Sequence, residues 1–455
     1  MEETPREERL QEIQRQKEEV LTDPYAKIDK KLHLLLRTGQ LLMESGADSD
    51  RTVRDMTRAA AFMGIPKEKL HLHVMYTTLM LNVNDQDHTY TEFRKCRKHG
   101  VNMETITAVS HLTWRALRES FSLRQYEALL ERIAARPRVY SFYVTAVSAG
   151  LACGGFSKLF GGSWLDFLFT AVCAFFGFFV RRLCIERYGF HPYAGIAIAS
   201  FAATMLAWSV QFITGEGMAW YPLIACTLFI VPGIPLINAV DDLLNGFIVS
   251  GMARFMHTLL IVGSMTFGIV IAIRLGNIAD FTAVSMQPDN VYLSQVIAAG
   301  ISAMCFSVIF NLPKHLLPVV GIGGIIAVMT RNIMILELGF SQIAGSFTGA
   351  VLVSIIALRM MHVLHVPIII LTIPSVIPMI PGVLLYRLLF AVLNIQAISS
   401  TALLDGIRSG TIALFIIIGI AIGIAIPNIF ISRRLNRERS EKTNELLEQR
   451  FNNEA

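Results

Sequence analysis

Two patterns of apolar positions divide the chain. Near the N-terminus Leu32, Leu35, Leu36, Leu41 and Leu42 recur at helical spacing and predict an amphipathic helix over 29–44, with Gly46 as its stop. A second helix is expected from about Ser49, carrying Val53, Met56, Ala60 and Phe62 and ending at Gly64-Ile65-Pro66. Alternation over 70–74 and 77–83 predicts paired strands, and 103–135 reads as one or two further helices. From Tyr140 onward the pattern changes to continuous apolar windows of roughly 20 residues, the length that crosses a bilayer. Ten windows are expected: 140–158, 164–184, 190–213, 219–237, 250–274, 291–311, 315–334, 340–360, 366–387 and 410–431.

Composition agrees with this division. The chain has 455 residues, is 53% hydrophobic and only 16% charged, and has a mean hydropathy of +0.51. The net charge of +5 is small, and its basic residues collect on the expected loops, which points to a topology signal rather than a nucleic-acid partner. Arg136, Arg138, Arg181, Arg182, Arg187, Arg254, Lys314, Arg359, Arg433, Arg434 and Arg437 would lie on one side, against Lys158, Arg274, Arg331, Arg387 and Arg408 on the other. That asymmetry predicts cytoplasmic N- and C-termini in a multi-pass protein of the cytoplasmic (plasma) membrane. The start of the chain has no secretory leader pattern. The six cysteines form no CxxC and no His-paired spacing, so neither a disulfide framework nor a metal site is expected. His71 and His73 share a strand face without a convergent third ligand, and no nucleophile elbow, phosphate loop or cofactor motif occurs. No cofactor and no enzyme activity are expected.

The apolar part repeats itself. Ser148-Ala149-Gly150-Leu151 resembles Ala298-Ala299-Gly300-Ile301, and Tyr188-Gly189-Phe190 through Gly195 resembles Leu338-Gly339-Phe340 through Gly345. Pro232-Gly233 matches Pro381-Gly382, so three anchors recur at a spacing of 149–150 residues. Five windows per copy, an odd number, force the second copy to enter the membrane from the opposite side. Inverted repeats with helices broken at corresponding positions mark many secondary transporters. The expected architecture is therefore an α-helical polytopic membrane protein of about ten transmembrane helices, arranged as two inverted five-helix repeats behind a small cytosolic α+β domain. Its parts would be a charged arm (1–27), the α+β domain (28–138), the two membrane repeats (139–275 and 290–431) and a charged cytosolic tail (432–455).

The candidate site residues cluster at the two Pro-Gly breaks. After Pro232 and Gly233, the residues Asn238, Asp241, Asp242 and Asn245 fall on one helical face, either as a polar site or as the turn between two spans. Carboxylates inside a membrane are costly and have a partner or a task, and the adjacent pair Asp241/Asp242 would suit proton coupling. After Pro381 and Gly382 come Tyr386 and Arg387, the latter either a solvent-side cation or a partner for a carboxylate. Acids after one break and Arg387 after the other could hold the two ends of a zwitterion, provided that both breaks dip toward the midplane. Asn311, before Leu312-Pro313, is a further candidate contact at a helix end. Arg182 and Arg331 read as span-end arginines related by the repeat.

These motifs resemble the threonine/serine exporter family in its fused, single-chain form. The resemblance runs from about Leu32 to Ile431. Ser45-Gly46-Ala47, Val231-Pro232-Gly233-Ile234-Pro235 with Asp241-Asp242-Leu243-Leu244, and the run from Phe310-Asn311-Leu312-Pro313 through Ile380-Pro381-Gly382 to Tyr386 carry it. It implies a cytosolic N-terminal domain, ten helices and proton-coupled export of threonine and serine. Split two-subunit relatives imply dicarboxylate (succinate-like) export as an alternative. A membrane-anchored enzyme, a channel or a ligand sensor using the N-terminal domain are the readings from other classes. The partners expected are a small-molecule substrate, protons and the lipid bilayer; a homo-oligomer stays open.

Overall fold

The computed structural model describes residues 24–85, 88–119, 121–214, 220–277, 291–364, 366–395 and 399–454, so most of the expected arm lies outside them. The described residues form two units, one made of 24–99, 108–136 and 442–454, the other of 137–441 together with 100–107.

In the first unit, α1 (Pro24–Glu44) and α2 (Ser49–Phe62) pack over one face of a three-stranded antiparallel sheet, β1 (Leu70–Val74), β2 (Thr78–Asp85) and β3 (His88–Lys95), in the order β1-β2-β3. Helix α1 ends where Gly46 takes a φ of 86°, Gly46 N–H donates to Met43 O and Ala47 N–H to Leu42 O. Asp48 then starts α2 by accepting from Arg51 N at 2.7 Å. Leu35, Leu36, Leu42, Met56, Leu79 and Leu81 form the core. His71 and His73 lie on the exposed face of β1. The predicted strand pair is present; β3, which is mostly polar, is an addition to it. The expected helical stretch 103–135 is two helices, α3 (Met103–Arg118) and α4 (Leu123–Ala134), separated by a Ser122/Gln125 capping box.

The second unit is helical: α5 (Phe142–Leu159), α6 (Trp164–Arg182, extended by a π turn over Leu183–Arg187), α7 (Pro192–Thr214), α8 (Trp220–Ala225), α9 (Gly233–Leu244), α10 (Ile248–Leu275), α11 (Tyr292–Ile309), α12 (Leu317–Leu336), α13 (Gln342–Leu364), α14 (Ile368–Val376), α15 (Gly382–Leu393) and α16 (Ser400–Glu454). Among the described residues, seven helices are long and apolar enough to cross a membrane, and two bent pairs raise the number to nine. The bent pairs are α8–α9 and α14–α15, each prolonged by a 3-10 turn before its break, with bends of 59° and 56°. The tenth predicted span is α5, 18 residues rich in Gly, Ala and Ser and closed by Lys158.

Two hydrogen bonds decide whether the bent pairs cross or turn back. Val139 N–H donates to Asn311 Oδ1 at 2.8 Å, so the start of α5 and the end of α11 lie at the same end of the bundle. With α5 counted as a crossing, that holds only if α8–α9 counts as one crossing as well, so that an even number separates them. Arg274 donates to Asn394 Oδ1 at 2.8 Å, which puts the ends of α10 and α15 together at the other end and requires α14–α15 to cross as well. A re-entrant loop in either place would separate these partners by the ~30 Å of a bilayer core. The result is five crossings per repeat, in opposite senses.

The repeat holds at the level of backbone geometry. Pro232 and Pro381 adopt φ/ψ of −81°/68° and −82°/55°. Gly233 N–H donates to Val231 O and Gly382 N–H to Ile380 O, both at 2.9 Å. Gly189 and Gly339 take φ of 66° and 68°. A two-fold axis brings repeat mates into contact only where it passes, and two such contacts exist between α5 and α11. Ser302 Oγ donates to Ala152 O at 3.3 Å, and the Phe156 and Phe306 rings meet edge to face at 5.5 Å. The crossing is close because Gly155 has no side chain: a Cβ there would lie 2.2 Å from Ser302 Oγ.

Candidate functional site

Both breaks originate in proline. Pro381 supplies no N–H to the carbonyl of Ile377, which accepts instead from Ile380 N at 3.0 Å and tightens the last turn of α14 to 3-10. Gly382 N–H turns to Ile380 O, and the helix restarts with Leu385 N–H on Pro381 O at 3.2 Å. Leu384 N–H makes no backbone hydrogen bond to Ile380 or Pro381 among the described residues. A broken helix thus presents its negative and positive ends within a few residues of each other. The first break repeats this pattern, except that Pro235 stands at the position of Leu384 and removes one donor.

The breaks pack against each other reciprocally. A Cβ on Gly233 would lie 2.5 Å from Ile380 Cδ1, and one on Gly382 would lie 3.1 Å from both Val231 and Leu228 side chains. Both therefore reach the centre of the repeat pair, as the zwitterion hypothesis required. Tyr386, only 1% exposed, extends from the second break to donate to Ile224 O of α8 at 3.3 Å.

A cavity of ≈ 90 Å³ opens on the second break. By the volume a single water needs, that is room for about seven water-sized groups, close to the size of a small amino acid or a four-carbon diacid. Its walls are the residues from Pro378 to Leu384, Arg331 of α12, Gln342 and Ser346 of α13, and apolar Leu159 and Ile416. Among the described residues no carboxylate lines it. Arg331 makes no ion pair among the described residues; its Nε donates to Asn332 Oδ1 at 3.1 Å, and Asn332 in turn donates to Gln295 at 3.1 Å. This leaves the terminal nitrogens of the guanidinium for a ligand. Gly345 lets α13 approach, since a Cβ there would sit 3.0 Å from the Arg331 carbonyl.

The polar stripe after the first break divides. Helix α9 runs on to Leu244, beyond the span end expected at residue 237, so the acids lie on the helix and not in a turn. Asp242 is fully buried and accepts from Arg254 Nε at 2.8 Å and from Ser250 Oγ at 3.1 Å, with Arg254 2% exposed. Asn238 is buried on the same side, and Asp241 is only partly covered. Asn245 is exposed and caps its own helix, donating to Asp241 O at 3.0 Å, as its repeat mate Asn394 does to Phe390 O. Asn311 is occupied: besides accepting from Val139 it donates to Asn102 Oδ1 at 2.8 Å, and its φ of 56° repeats the left-handed turn at Gly161.

Arg387 does not meet the acids. Helices α9 and α15 leave the central contact toward opposite ends of the bundle, Asp242 nine residues past Gly233 and Arg387 five past Gly382. At ~1.5 Å per residue they are about 20 Å apart along the axes. One small zwitterion cannot bridge that distance. The repeat also pairs Arg331 with Arg181, not Arg182, because α6 and α12 are offset by the same 150 residues as Gly189 and Gly339. Chain order does not mark Arg331 as the cation of the cavity, because arginines near span ends ordinarily reach for headgroups.

Residues 33–276 match the family described as "Putative threonine/serine exporter", and residues 295–430 the family described as "Threonine/Serine exporter, ThrE". The "Threonine/serine exporter" of Corynebacterium glutamicum is 23% identical over 92% of this chain and 85% of its own length. The "Probable threonine/serine exporter" of Mycobacterium tuberculosis is 22% identical over 80% and 70%. The "Probable succinate transporter subunit YjjP" of Escherichia coli is 27% identical over 53% of this chain and 93% of its own length. No solved structure matches. With both family matches falling in order along the chain, and the first alone covering more than half of it, this multi-span membrane protein belongs to the threonine/serine exporter family.

Proposed function

We propose that the protein exports threonine and serine, with the substrate held at the second break and export coupled to proton entry. The observation that carries this reading is the cavity in which Arg331 faces an interrupted helix. A carboxylate there meets the Arg331 guanidinium and the N–H end of the restarting helix at Leu384, and an ammonium meets the carbonyl end of α14. Ser346 and Gln342 supply partners for a side-chain hydroxyl. The buried Asp242–Arg254 pair supports the proton role. The carboxylate has no counterpart in the second repeat, where the buried Ala391 stands at the position of Asp242. The repeat unit therefore does not demand a carboxylate at that position, and burying an ion pair is costly. Protonating Asp242 would release Arg254 and loosen α9 from α10.

The excess of basic residues at the end holding Val139 and Asn311 supports placing that end, and both termini, in the cytoplasm. Export of a dicarboxylate is the second reading, favoured by a cavity that offers a cation and no acid. Proteoliposomes with an imposed pH gradient separate the two, using labelled threonine, serine and succinate. Gradient-driven movement of threonine and serine is the expected result; movement of succinate alone would replace this reading with the second.

A further inference from the structure

We infer that the protein has a second carboxylate station, at Arg181 beside the first break, which is the repeat mate of the Arg331 cavity and opens to the opposite face. This rests on the proposal that substrate occupies the Arg331 cavity. Arg181 and Arg331 hold the same position in the two repeats, each is partly covered, and neither makes an ion pair among the described residues. Each belongs to a helix that precedes a break with the same dihedral angles, the same turn hydrogen bonds and nearly the same bend. What differs is conformation. Beyond Arg181 and Arg182, α6 winds into a π turn over Leu183–Arg187, whereas α12 remains α-helical from Arg331 through Leu336.

Two copies of one sequence pattern thus stand in two arrangements. An inverted-repeat transporter alternates its access by exchanging such arrangements between its halves. In the exchanged state Arg181 takes the place of Arg331, Pro232-Gly233 that of Pro381-Gly382, and Pro192 and Ile196 those of Gln342 and Ser346. The second station keeps the cation and loses two polar contacts, so it would hold the same carboxylate several-fold more weakly. The substrate's carboxylate would pass from one arginine to the other across the Gly233–Ile380 and Gly382–Val231 contacts.

The test uses the full chain, with its six native cysteines replaced by Ser or Ala, in right-side-out and inside-out membrane vesicles. Ser346→Cys and Ile196→Cys are reacted with a membrane-impermeant methanethiosulfonate, with and without saturating threonine. The expected result is that Ser346→Cys reacts from one face only, Ile196→Cys only from the other, and threonine slows both. Arg181→Gln should lose threonine transport as Arg331→Gln does, with partial recovery in Arg181→Lys. Reaction of both cysteines from one face, or wild-type transport in Arg181→Gln alongside loss in Arg331→Gln, would overturn the second station. Wild-type transport in Arg331→Gln would instead overturn the reading on which it rests.

Discussion

At the scale of single residues, the informative contrast is between the Asp242–Arg254 pair in one repeat and Ala391, which stands at the position of Asp242 in the other. Removing one member of a buried pair strands the other charge, so Asp242→Asn or Arg254→Met should each lower stability by about 3–5 kcal/mol. The double variant Asp242→Ala/Arg254→Met removes both charges and should recover most of that loss, as read from melting in detergent. It should also transport without a response to the pH gradient. A double variant that melts as low as the singles would show that the pair is structural. The chain order revealed the acids and the break but not the partner, because Arg254 follows twelve residues later on another helix. Outside the membrane spans, hydrogen bonds from Arg37 at 2.7 and 3.0 Å hold the Glu131 carboxyl below the usual range. A depressed carboxylate contributes stability above the unfolded pKa and loses it as pH falls through the folded one. Because Glu131 is 54% exposed, Glu131→Gln should cost only about 0.5 kcal/mol at neutral pH, and nothing once the wild-type carboxyl is protonated.

At the scale of elements, the helices and breaks were legible because each is written locally: apolar windows of bilayer length, glycine stops, and Pro-Gly pairs. Strand β3 was not, since His88–Lys95 alternates polar residues with few apolar ones and acquires its strand character only by pairing with β2. The cavity was illegible for a related reason. Arg331, Gln342, Ser346 and Gly382 come from three helices, and only the packing of α12 and α13 on the second break gathers them. The α5–α11 crossing offers a direct test of element packing. Gly155→Ala would drive a methyl into Ser302 Oγ and to within 2.9 Å of the Ala298 carbonyl. The resulting separation should cost about 1–3 kcal/mol in thermal stability and break the Ser302–Ala152 hydrogen bond. An unchanged melting temperature would mean that the two helices are not held at this distance.

At the scale of the whole molecule, ten crossings in two opposed sets follow from the repeat read in the sequence and from two hydrogen bonds that fix parity, Val139–Asn311 and Arg274–Asn394. The same inversion that brings the two breaks into contact carries Asp242 and Arg387 to opposite ends, which is why a site built from both could not be recognised as impossible from chain order alone. Holding the substrate at the second break requires its carboxylate to land on Arg331. The most direct test is the half-saturation concentration for threonine in Arg331→Gln and Arg387→Gln proteoliposomes beside the wild type. Losing hydrogen bonds to a charged group predicts a rise of about 10- to 100-fold for Arg331→Gln and little change for Arg387→Gln. An unchanged value in Arg331→Gln, with the loss appearing in Arg387→Gln, would contradict it.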